Sequence, residues 1–237
     1  MPRIILPSIS PDDRELAVTG QNLKYLRDVL RVSRGDEVIV LDGHGLALKT
    51  CARDIGKKQI LLEVLGGCSV DTESPLHLVL IQGLLKGDRM DLVIQKATEL
   101  GVREIFPVVT ERSQVRFSRK LEHWKRVSEE ATRQSGRLLV PVIHDVCKMK
   151  DIFDSLEDES VRIIFSESEN KGCKLPSSIS ASFVYYMVGP EGGFTDMEVQ
   201  GAKESGFISA GLGKRILRAE TASIAGAVLL QFLFGDL

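Results

Sequence analysis

Hydrophobic and polar positions change period once along this chain, around Gly66-Gly67-Cys68-Ser69-Val70-Asp71-Thr72-Glu73-Ser74-Pro75, a polar and turn-rich stretch. Before it the pattern is mostly that of strands. Glu37-Val38-Ile39-Val40-Leu41 runs into Asp42-Gly43-His44-Gly45, a hairpin-type turn, and residues 46–53 return. A second turn at Gly56-Lys57-Lys58 leads to Gln59-Ile60-Leu61-Leu62-Glu63-Val64-Leu65. Leu23, Leu26 and Leu30 share the apolar face of one short helix. The pattern predicts a small β-barrel with a single helix.

After the boundary, strands alternate with helices. Leu78-Val79-Leu80-Ile81 reads as a buried strand, and Met90, Val93, Ile94, Ala97 and Leu100 follow at helical spacing, closed by Gly101. A strand over 105–109 comes next. A helix over 118–135 buries Leu121, Trp124, Ser128 and Ala131. Residues 161–165 and 183–188 read as two more buried strands. Thr195-Asp196-Met197-Glu198 forms a capping box opening a helix that Gly206 ends, and Leu212 closes a further short strand. Thr221 is placed as the N-cap of a last, very apolar helix over 221–234. This alternation predicts an α/β domain with a mostly parallel sheet, whose ligand belongs at the carboxyl ends of the strands. The expected domains are 1–70 and 74–237.

Composition narrows the function classes. The 237 residues are 43% hydrophobic and 27% charged with a net charge of −2, which fits a soluble globular protein. No apolar run reaches the roughly 18 residues that a membrane span needs, and the N-terminus lacks the order of a signal peptide. Cys51, Cys68, Cys147 and Cys173 are scattered without a C-x-x-C pair, and so are His44, His77, His123 and His144. This argues against a metal site or a disulfide framework and fits a reducing cytoplasm. The near-neutral total hides two basic stretches. Lys24, Arg27, Arg31 and Arg34 recur at helical spacing, and residues 112–137 hold eight basic side chains against three acidic ones. Such stretches can hold phosphates, although a solvated helix face is the ordinary explanation of any one of them. With only 5% aromatic residues, a broad stacking platform is not expected.

Two loops carry candidate chemistry. Gly189-Pro190-Glu191-Gly192-Gly193-Phe194 joins a strand to the capped helix, and its glycines let backbone N–H groups approach a ligand beside a helix N-terminus. A tight strand-to-helix turn is the plainer alternative. The loop is not a G-x-G-x-x-G fingerprint, and no G-x-x-x-x-G-K-[ST] sequence occurs. Leu212-Gly213-Lys214-Arg215-Ile216-Leu217-Arg218-Ala219-Glu220-Thr221-Ala222 joins the next strand to the last helix. Its apolar Ile216 and Leu217 sit in a loop, and so must pack on something.

Taken together, the two loops resemble the signature of the RsmE family of SPOUT-superfamily methyltransferases, and the likeness runs nearly end to end. It includes Pro2-Arg3, Val29-Leu30-Arg31 with Gly35-Asp36, Lys86-Gly87-Asp88-Arg89-Met90, and Gln95 through Gly101. Glu111-Arg112-Ser113 and Glu130-Ala131-Thr132-Arg133-Gln134-Ser135-Gly136-Arg137 fit as well, while Tyr25 stands where many members carry histidine. The resemblance implies a PUA-like β-barrel followed by a SPOUT-type α/β domain with a deep trefoil knot. It also implies S-adenosylmethionine as cofactor, a homodimer, and methylation of N3 of a uridine in 16S ribosomal RNA of the small subunit. By the family scheme Gly189, Glu191, Gly192, Leu212, Gly213, Ile216, Leu217 and Thr221 hold the cofactor, with Ser166-Glu167-Ser168 as a third loop or a solvated acidic turn. RNA contacts are expected at Arg3, Lys24, Arg27, Arg31, Arg112, Arg133 and Arg137.

Uridine N3 is a poor nucleophile until its proton leaves, and deprotonation spreads charge onto O2 and O4. A cation at those oxygens stabilises the transition state, the role expected of Arg218, and a carboxylate takes the proton. Glu220 is preferred to Glu191 for that step, and a charge at a helix N-terminus is the plainer role of either. The last helix is apolar on nearly all faces, so it must be buried in the domain or against a second subunit. The competing readings are a related SPOUT methyltransferase acting on tRNA and a non-catalytic RNA-binding ribosome-assembly factor.

Overall fold

A computed structural model of the chain describes residues 1–68, 72–167, 175, 176, 178, 179 and 181–237. Ser168, Cys173 and residues 69–71 of the expected boundary lie outside the described residues. The chain divides into two compact units, Met1–Glu73 with Thr132–Val140, and Ser74–Ala131 with Pro141–Leu237.

In the first unit, β1 (Arg3–Ile5), β2 (Glu15–Val18), β3 (Glu37–Leu41), β4 (Ala47–Ile55) and β5 (Ile60–Gly67) form one sheet. Its order is β1-β3-β4-β5-β2, parallel between β1 and β3 and antiparallel elsewhere. β1 and β2 were not expected, because three and four residues are too short to show a period. Alternate residues such as Val38, Val40, Leu48, Ile60 and Leu62 point into a core with Ile4, Leu16, Leu23 and Leu26. α1 (Gly20–Lys24) continues as a π-helical turn, Tyr25–Val29. That wider turn carries Leu30 off the core face predicted for it, and Leu30 is exposed.

Segment 132–140 joins this unit through Glu73. The Glu73 carboxylate pairs with Arg137 at 2.8 Å and accepts the backbone N–H groups of Leu138 and Leu139. Burial opposes its charge, but these donors outweigh burial and hold its pKa below the usual carboxylate range.

The second unit holds β6 (His77–Gly83), β7 (Glu104–Val109), β8 (Val142–Ile143), β9 (Cys147–Lys148), β10 (Ser160–Phe165), β11 (Phe183–Val188) and β12 (Ile208–Ala210). The sheet order is β12-β10-β11-β6-β7-β8, with β9 also on β7, and every pairing is parallel. Alternation sends Val184, Tyr186 and Val188 to one face and Tyr185 and Met187 to the other. The first face packs against α2 (Arg89–Glu99), Trp124 of α3 (Leu121–Ser135), and α6 (Ala219–Phe234). The second packs against α4 (Met149–Ile152) and α5 (Asp196–Glu204).

Three expected boundaries move. α3 starts at Leu121 rather than 118, and the last strand ends at Ala210, leaving Leu212 in the loop. Arg218, with extended backbone, is the N-cap of α6 and accepts the Ala222 N–H, so Thr221 lies inside the helix rather than at its cap. The capping box at Thr195 forms as expected, with the Glu198 side chain accepting the Thr195 N–H. At the amino ends of β6 and β7, His77 and His144 reach the two oxygens of Glu104 at 2.7 and 2.8 Å. Their rings stack on Phe183 and Phe106.

Candidate active site

The carboxyl ends of the parallel strands converge on one cavity of about 550 Å³. Its walls are Phe165 to Glu167 at the end of β10, Val188 to Phe194 at the end of β11, and Leu212, Gly213 and Arg215 to Glu220 after β12, with Arg89 and Arg112 from the segments after β6 and β7. Side-chain volume explains why glycine stands at several of these positions. A Cβ on Gly83, the last residue of β6, would lie 2.5 Å from Pro190, so only glycine lets the 189–194 loop cross the strand end. A Cβ on Gly192 would lie 3.0 Å from the Cβ of Arg112. Gly193 and Gly213 take φ of 67° and 98°, the left-handed region that favours glycine.

Two carboxylates reach the cavity with an oxygen unspent. Glu191 Oε1 accepts the Lys86 backbone N–H at 3.1 Å and a hydrogen bond from Arg89 Nη1 at 3.0 Å, while its Oε2 is buried with no hydrogen-bond partner among the described residues. Glu220, 9% exposed, has a buried and unpartnered Oε2, and its Oε1 lies 4.0 Å from Arg218 Nη1. Buried carboxylate oxygens without donors are unfavourable, so the cavity suits a ligand that brings cationic or N–H groups to them. The Arg218 side chain is 79% exposed at the same cavity. The apolar Leu212, Ile216 and Leu217 supply a surface for a flat ring.

Seven of the eight residues expected to hold a cofactor line this cavity: Gly189, Glu191, Gly192, Leu212, Gly213, Ile216 and Leu217. Thr221 does not, since its place inside α6 leaves it exposed away from the lining. Ser166 and Glu167 do line it. Sequence reading missed Arg89 as the brace of Glu191. Its signal was the Lys-Gly-Asp-Arg stretch, whose partner lies about a hundred residues away.

The basic residues fare unevenly. Lys24 and Arg31 are exposed, and Arg31 adopts φ 53°. Arg27 is paired with Asp28 and donates to the Lys57 carbonyl. Arg3 lies against Gly136, and Arg133 sits 4.8 Å from the Tyr25 ring centroid. Arg112 is exposed at the cavity rim and donates to the Gly192 carbonyl at 3.1 Å. Arg137 departs from the expectation: it is 2% exposed, and its guanidinium is engaged by Glu73 rather than offered to phosphates. Among the described residues no group of His, Cys, Asp and Glu is arranged to hold a metal ion. No helix among them is long and apolar enough to cross a membrane.

Known proteins resemble this arrangement closely. A family profile described as an RNA methyltransferase domain matches residues 72–231, and one described as an RNA methyltransferase PUA domain matches 18–65. A Ribosomal RNA small subunit methyltransferase E from Bacillus subtilis is 30% identical over 223 residues, 88% of this chain and 86% of that protein. The crystal structure of a Ribosomal RNA small subunit methyltransferase E from Neisseria gonorrhoeae, bound to S-adenosyl methionine, superposes with a TM-score of 0.94. It is 37% identical and covers 100% of this chain and 99% of the other. A Legionella pneumophila putative methyltransferase, also in complex with SAM, gives a TM-score of 0.90 at 30% identity over 99% of this chain and 98% of its own.

Proposed function

This chain belongs to the ribosomal RNA small subunit methyltransferase E family, and on that premise we propose that it transfers a methyl group from S-adenosylmethionine to N3 of a uridine in 16S ribosomal RNA. The observation that carries the reading is the single cavity in which both glycine-rich loops meet two carboxylates with unspent buried oxygens. The fit to S-adenosylmethionine is chemical. Its sulfonium and ammonium groups are cations suited to the free oxygen of Glu191, and its adenine suits Leu212, Ile216 and Leu217. When bound, it supplies a methyl group open to in-line displacement.

The chain's own residues do the rest. Glu191, braced by Arg89 and Lys86, is fixed in the wall and serves binding. Among the described residues Glu220 has no donor closer than Arg218 at 4.0 Å, so its unpartnered oxygen accepts the N3 proton directly or through water. Arg218 meets the charge that develops on O2 and O4. The N3–methyl bond forms as the methyl–sulfur bond breaks, and positioning of acceptor against donor supplies most of the rate.

Phosphates of the RNA are held by Lys24, Arg31 and Arg112, with Arg3, Arg27 and Arg133 in support. A homodimer through α6 and a trefoil knot in the C-terminal segment complete the reading. The parallel order β12-β10-β11-β6, with both loops at one cavity, supports the knot. A cytoplasmic setting suits the substrate and the free thiols of Cys51, Cys68 and Cys147.

The test is transfer of labelled methyl from S-adenosylmethionine to small subunits from cells lacking this modification, with nucleoside mass spectrometry of the product. N3-methyluridine is expected, whereas ribose methylation or no transfer defeats the reading. Arg218→Ala lowers kcat by about a hundredfold, the usual loss for a missing oxyanion donor, and leaves the Kd for S-adenosylmethionine within about twofold. Absence of calorimetric heat on adding S-adenosylmethionine to the wild type would favour the non-catalytic assembly factor.

A further inference from the structure

Segment 111–120, between β7 and α3, carries Arg112, Arg116, Arg119 and Lys120 against the single carboxylate of Glu111. Its first residues are pinned to the cavity wall. Ser113 Oγ accepts the Thr110 N–H at 3.0 Å, Glu198 Oε1 accepts the Glu111 N–H at 2.7 Å, and Arg112 donates to the Gly192 carbonyl. The middle of the segment holds Phe117, 68% exposed, with the Arg119 guanidinium carbon 5.8 Å from its ring centroid.

Among the described residues, Phe117 and Phe232 are the aromatic side chains more than half exposed. Their surroundings differ in kind. Phe232 has Val228 and Leu233 beside it on α6, an apolar setting that suits a protein surface. Phe117 is flanked in sequence by four cations, a setting that repels most protein partners' basic groups and attracts polyanions. The same segment half-buries Val115, so the chain had an apolar anchor available and still left the larger ring outside.

We propose that Phe117 is a stacking site for an unpaired base of the RNA substrate, with Arg112, Arg116, Arg119 and Lys120 holding the phosphates around it. A single exposed aromatic among cations binds nucleic acid in this way because every base offers a π-face, while the cations recover counterion-release energy from the backbone. The segment starts at the donor cavity, where Arg112 lines the rim and donates to the Gly192 carbonyl, and in this proposal the stacked base helps to hold the strand that carries the target uridine. The inference rests on the RNA methylation reading above and adds a determinant to it.

The test measures methyl transfer to unmodified small subunits over a range of subunit concentrations, with calorimetry for S-adenosylmethionine. Phe117→Ala raises the KM for subunits by about 5- to 150-fold, the range expected for loss of one stacked base, with the cofactor Kd unchanged. Phe117→Tyr restores the KM and Phe117→Leu does not. An unchanged KM in Phe117→Ala, full rescue by leucine, or a weakened cofactor Kd overturns the proposal. A wild type that transfers no methyl defeats the earlier reading instead. The stacking site is then decided by fluorescence of Phe117→Trp with oligouridylate at low salt: quenching supports it and its absence overturns it, Trp124 being buried.

Discussion

Arg137 ends the most basic stretch of the chain, yet its chemistry is that of the interior. With Glu73 it forms a buried ion pair whose carboxylate also takes two backbone N–H groups. Removing one partner of such a pair strands the other charge, so Arg137→Ala is expected to lower unfolding free energy by about 3 kcal/mol in urea titration. The salt slope of RNA binding is expected to stay at the wild-type value. Gly192 shows the opposite case, a glycine picked out by its loop in the sequence and found in close approach to Arg112. Gly192→Val crowds Arg112, whose Cβ would lie 3.0 Å from the first added atom, and is expected to abolish S-adenosylmethionine binding in calorimetry while far-ultraviolet dichroism is retained. Glycine declares its purpose in sequence. An arginine does not, because solvent and a buried carboxylate satisfy it equally well and only the fold says which one surrounds it.

At the scale of elements, period and capping chemistry located most of the second unit, since α2, α5 and the buried strands each carry a signal within a few residues. The π-helical turn after Lys24 left no such signal, for its extra residue per turn changes which face Leu30 occupies without changing composition. Pairing between distant strands was equally hidden. His77, Glu104 and His144 meet only because β6 and β7 lie side by side and the segment after β8 returns to them. Hydrogen bonds from His144 and His77 hold Glu104 down to about 2, from an ordinary value of 4.5. A depressed carboxylate stabilises the fold above its unfolded pKa, and that contribution is lost as pH falls through the folded value. Stability from this cluster is therefore complete above about pH 4.5 and disappears towards about pH 2, a loss of about 2 kcal/mol after allowing for partial exposure. Glu104→Gln is expected to flatten the acid limb of the urea midpoint in that window and to lower the midpoint at neutral pH.

At the scale of the whole molecule, α6 is covered on one face only. Its composition demanded burial on all sides, but the fold buries one face, through Ala219, Ser223, Gly226, Ala227 and Leu230, and leaves Val228, Phe232 and Leu233 outside. Buried polar side chains fix its register, with Ser223 donating to Gln82 and Gln231 bridging Ser74 and the Leu100 carbonyl. The exposed apolar face supports the proposed homodimer, in which a second copy of the chain would cover it. Phe232→Glu, with the ring 69% exposed in the single chain, is expected to convert a dimer into a monomer by light scattering without unfolding it. A wild type that scatters as a monomer would remove this role.

By itself the sequence determined the class of the longer segments, the change of period between the two units, and the pair of glycine-rich loops, because these depend on spacing and on backbone freedom that neighbouring residues express. Only the tertiary structure decided that both loops share a cavity, that Glu191 is braced by Arg89, that Glu220 keeps an oxygen free and that Arg137 is withdrawn from solvent. Each of these depends on contacts between residues far apart in the chain, and desolvation and charge pairing are properties of such contacts rather than of any local stretch.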